Sequence, residues 1–123
     1  MASNLDSLQS SRVNIPDSQR AIQDYLWDQG WTDGLPVIAP TEPLVREMLS
    51  GYGGHPQDSL GRIQPGNSNV TLEKLAVNAV LAGCLPEHFP VVVAAMKAAL
   101  RDEFNLAGNC LLYTSDAADD LTR

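Results

Sequence analysis

Two apolar stretches meeting at a proline-bracketed elbow constrain this chain more than any other feature. Residues 72–100 read LEKLAVNAVLAGCLPEHFPVVVAAMKAAL. Leu72, Leu75, Ala76, Ala79, Val80 and Leu81 recur at helical spacing almost all round, as in a helix surrounded by other elements. Thr71 opens this helix and Glu73 lies in its first turn, where a carboxylate suits the positive end of the helix dipole. Asn78 interrupts the apolar pattern and needs partners if it is buried. Gly83 stops the helix. The segment from Cys84 to Pro90 then makes an elbow, and Pro90 suits the first turn of a second helix running to about Arg101. Val91, Val92, Ala94, Ala95, Met96, Ala98, Ala99 and Leu100 make that helix buried or half-buried. Such a pair must pack on further elements.

The first half supplies them. Asp17 or Ser18 caps a helix carrying Ala21, Ile22, Tyr25 and Leu26, ended by Gly30. The stretch WTDGLPVIAPTEP follows, with a turn at Asp33-Gly34 and an extended run around Leu35, Val37 and Ile38 that its prolines keep from the centre of a sheet. Thr41 caps a helix over Glu42 to Ser50, ended by Gly51. Residues 52–69 are rich in Gly, Pro, Asn and Ser and hold one candidate strand, Leu60 to Gln64. The expected fold is α+β and helix-dominated, with about four helices and one or two short extended segments, in a domain that is incomplete. Residues 1–14 lack any period and read as a disordered tail; 15–109 read as the N-terminal part of one globular domain.

Residues 110–120, CLLYTSDAADD, belong to neither part. Back-translation of the first six as TGT CTC TTA TAC ACA TCT resembles the transposase mosaic end of a sequencing adapter, so 110–123 read as an adapter-derived tail that stands outside fold reasoning. The formal charge of the whole chain is −7, and without that tail the remainder is still acidic. With no lysine or arginine cluster, nothing resembles a nucleic-acid footprint. Setting Cys110 aside leaves Cys84 as the single thiol, which fits a reducing compartment. No secretory signal is visible and no apolar run reaches the roughly eighteen residues of a membrane span. The expected location is the cytoplasm, with no membrane partner.

WTDGLPVIAPT, the elbow-bracketed pair of helices, and EFNLAGN at 103–109 together resemble the bacterial UGSC (seleno)protein group. The resemblance covers roughly residues 22–109. It implies a thiol- or selenol-linked oxidoreductase whose decisive residues lie downstream, since the naming Gly-Ser-Cys motif is absent and no catalytic residue carries over. The alternative is a non-catalytic domain that binds a ligand or docks a redox partner subunit or a second copy of itself.

Two clusters carry the candidate chemistry. Cys84 stands four residues before His88, and an imidazole near a thiol can hold it as thiolate; the pair could also supply two of the ligands a zinc site needs. Against this, free cysteines are commonly buried and inert, and the C-terminal end of a helix disfavours a thiolate. Thr32 and Asp33, beside Trp31, could line a polar pocket or simply form an Asp-Gly turn. Asn78 could orient a ligand or satisfy a neighbouring loop. His55 reads as a loop residue, and Gly51 to Gly54 lack the pattern of a phosphate loop. No complete metal-ligand set is apparent, and the cofactor stays unassigned.

Overall fold

The computed structural model describes residues 8–106. The adapter-like segment 110–123 lies outside the described residues, as do the first seven residues. Four helices, α1 (Gln19–Asp28), α2 (Glu42–Ser50), α3 (Leu72–Leu81) and α4 (Phe89–Ala99), combine with an antiparallel pair, β1 (Ser59–Ile63) and β2 (Ser68–Thr71). The fold is α+β and helix-dominated.

The helix ends follow the local chemistry. The Ser18 hydroxyl accepts the Ala21 amide at the start of α1, and Thr71 Oγ1 accepts that of Lys74 at the start of α3. Both helices end in the same glycine-dependent motif. After α1, Gly30 (φ +72°) donates to Trp27 and Trp31 donates to Leu26; after α3, Gly83 (φ +81°) donates to Val80 and Cys84 to Ala79. These paired bonds satisfy carbonyls that a helix C-terminus leaves open. At α2 the Thr41 carbonyl accepts from Val45, but its hydroxyl makes no capping bond, contrary to the side-chain cap expected there.

The core lies along α3, whose Leu72, Leu75, Ala76, Ala79 and Val80 pack with Val45, Met48 and Leu49 of α2 and Phe89 and Val93 of α4. Helix α4 is less buried than its composition predicts: only Phe89 and Val93 are buried, while Val91 is 70% exposed. Phe89, Val92, Val93 and Met96 fall on one stripe at helical spacing, and that stripe meets the core.

The strands also differ from expectation. Ser68–Thr71 pairs with the anticipated strand in the register Gly61↔Val70, Arg62↔Asn69 and Ile63↔Ser68. Its four residues are too short to show an alternating pattern, and its last, Thr71, is also the cap of α3. The extended run after Gly34 joins no sheet. Instead, Gln23 of α1 donates to the Leu35 carbonyl (2.9 Å) and accepts the Val37 amide (3.3 Å), while Ile38 donates to the Leu81 carbonyl. A glutamine side chain thus takes the place of a neighbouring strand.

Candidate functional site

A cavity of 470 Å³ opens where α1, α2 and α3 come together beneath residues 8–17. Ile22 and Leu26 of α1, Val45 of α2 and Val77 of α3 form its apolar wall. Tyr25 and Trp31 stand at its edge as an edge-to-face pair, with ring centres 6.2 Å apart and planes at 81°. Their placement follows from the α1 terminus, since the Gly30 turn folds Trp31 back beside Tyr25.

Two carboxylates at helix starts fasten the segment that covers the cavity. Glu73, in the first turn of α3, is only 3% exposed. It accepts the Gln9 amide on both oxygens (3.1 and 3.0 Å), the Ser10 amide (2.8 Å) and the Gln57 side-chain amide (2.5 Å). Burial raises the Glu73 pKa, but the hydrogen bonds from Gln9, Ser10 and Gln57 outweigh it and hold the carboxyl below its ordinary value. Glu42, in the first turn of α2, accepts from Arg46 (2.9 and 2.6 Å) and pairs with Arg12. The Arg46 hydrogen bond is the main reason its pKa lies below the ordinary value. Residues 8–14, expected as part of a loose tail, are therefore tethered at Gln9, Ser10 and Arg12, although they form no helix or strand.

The residues picked from the sequence lie elsewhere, in three separate places. Cys84 is half-buried, its side chain packs against the core cluster, and its amide closes the motif that ends α3. His88 is exposed; its Nδ1 accepts the Leu85 amide at 3.0 Å and its Nε2 lies 3.9 Å from Glu87. One of the two imidazole nitrogens, Nδ1, is thus taken by the elbow backbone. Thr32 and Asp33 bind their own turn: Thr32 Oγ1 donates to Leu35 O and accepts from Gly34, and Asp33 accepts from Leu35. Only their neighbour Trp31 reaches the cavity. Asn78 is exposed and donates to the Lys74 carbonyl one turn back (2.8 Å), so no buried amide has to be satisfied.

The sequence reading missed Glu73 as a site residue, seeing only its favourable place in the helix dipole. The signal was there: Glu73 precedes Ala76 by three residues and Val80 by seven, which puts it on the buried face. Among the described residues, no group of three or more His, Cys, Asp and Glu side chains is placed to hold a metal ion. No helix among them is long and apolar enough to cross a membrane. No protein-family model, curated protein or solved structure matches this chain.

Proposed function

We propose that this chain is a cytoplasmic, non-catalytic binding domain that takes a small, mostly apolar ligand in the cavity between α1, α2 and α3. The carrying observation is the cavity itself. Its 470 Å³ falls within the range of about 300–1,000 Å³ typical of ligand sites. Its wall combines aliphatic side chains with the Tyr25–Trp31 pair, and Thr41, whose hydroxyl makes no capping bond, also lines it. Apolar walls with a few placed polar groups are the usual construction of such sites.

A screen of small aromatic and alicyclic fragments by ligand-observed NMR tests this reading. Binders should lose their signal on Ile22→Trp, which fills the cavity, and keep it on Val91→Ala, on the far helix. Binders indifferent to Ile22→Trp would sink the proposal.

The oxidoreductase reading, carried by the resemblance to the UGSC group, is the second proposal. The observation in its favour is the half-buried Cys84 thiol in an elbow that also presents Glu87 and His88.

A further inference from the structure

We infer that residues 8–14 are a strap closing the cavity, and that Glu73 is its latch: the strap opens by leaving the Glu73 carboxylate while α2 and α3 stay intact. This rests on the cavity being the ligand site. Leu8, Ser10, Arg12 and Val13 all line the cavity, so the strap is one of its walls. The strap has no ladder or helix of its own, and its amides at positions 9 and 10 end on Glu73. Ahead of α1, its other fixed points are the exposed Arg12–Glu42 pair and the half-buried Leu8, which packs against the core cluster. An exposed ion pair contributes little, whereas charge-assisted bonds to a buried carboxylate are strong. The polar hold on the strap is therefore concentrated at Glu73, with Leu8 adding an apolar contact at its start.

The surroundings of Glu73 leave it free to act alone. On its own helix Lys74 points to the Asn69 carbonyl. The loop that supplies Gln57 carries His55 and Asp58, which bind within that loop. Arg12 on the strap and Arg46 on α2 are both paired with Glu42. No neighbouring charge accounts for the Glu73 carboxylate being held ionised; the strap and Gln57 hydrogen bonds do. Its folded pKa is lowered, so the latch is closed at neutral pH and is lost as pH falls through that folded value. Acid thus serves as a probe of the latch.

Amide hydrogen exchange on the whole chain, corrected for intrinsic rates, tests this without any ligand. Protection at Gln9 and Ser10 should fall about tenfold or more on acidification, while Ala79 and Val80 in α3 stay protected. In Glu73→Gln the protection should be weak at every pH and its pH dependence absent. Binding of the apolar dye anilinonaphthalene sulfonate should rise over the same pH range as the strap opens. Strap amides that are flat with pH, or lost only together with those of α3, would overturn the latch, as would dye binding that rises while the strap stays closed. If no ligand ever binds the cavity, the exchange result is unaffected, so the two readings fail separately.

Discussion

Glu73 and Cys84 are both placed for structure, one through hydrogen bonds and the other through packing. Removing the Glu73 carboxylate leaves the Gln9 and Ser10 amides and the Gln57 side chain without their acceptor. Glu73→Ala should therefore cost about 1–3 kcal/mol in chemical denaturation at neutral pH. The difference from the parent chain should shrink as pH drops through the folded Glu73 pKa, because the lowered pKa means that its contribution exists above the unfolded value and disappears below the folded one. A variant penalty unchanged by acid would contradict the role given to the ionised form. Cys84 is the packing case. It occupies the position after Gly83 where an apolar side chain normally completes the helix stop, and it packs on the core. Iodoacetamide should label Cys84, followed in its own peptide apart from Cys110, more slowly in the folded chain than in the denatured chain. Faster labelling when folded, with the advantage lost in His88→Ala, would instead make Cys84 and His88 a working pair.

At the scale of elements, glycine stops and apolar periodicity were legible and strand pairing was not. Gly30 and Gly83 predicted helix ends because the left-handed backbone there disfavours most residues other than glycine. The Cβ of an alanine at Gly83 would meet nothing closer than Ile38 at 4.0 Å, so Gly83→Ala isolates backbone strain from crowding. That substitution should cost about 1–2 kcal/mol, or roughly 4–8 °C in Tm. Gly66→Ala, where φ is not positive, is the control and should change little. The pairing of β2 with β1 depends on which residues a loop brings opposite each other, and four residues carry no period that reveals it. Likewise the clamp of Gln23 on residues 35–37 is a long-range contact with no local signature. The cavity was illegible for the same reason, since its walls come from five separated stretches of chain. The burial of α4 was overestimated because composition counts apolar residues on every face, whereas packing uses one stripe.

For the whole molecule, the distribution of apolar surface outweighs its amount. Trp31 is 60% exposed and Leu35 67%, and Trp27 and Ile38 are exposed on the same α1 and extended segment. Exposed apolar groups gathered on adjoining elements mark interaction surfaces rather than ordinary scatter. The formal charge of −7 works against pairing two copies, because like charges repel and salt screens them. Self-association should therefore be visible at micromolar concentration in sedimentation velocity, and should strengthen as salt is raised. Replacing Leu35 by Glu adds charge at an exposed position that makes only backbone hydrogen bonds, so it should restore the monomer without lowering Tm. A parent chain that sediments as a monomer at high salt would show that this surface is tolerated by a solitary molecule. A Leu35→Glu chain that still associates would place the contact elsewhere, with exposed Leu85 and Val91 beside the elbow as the next surface to charge.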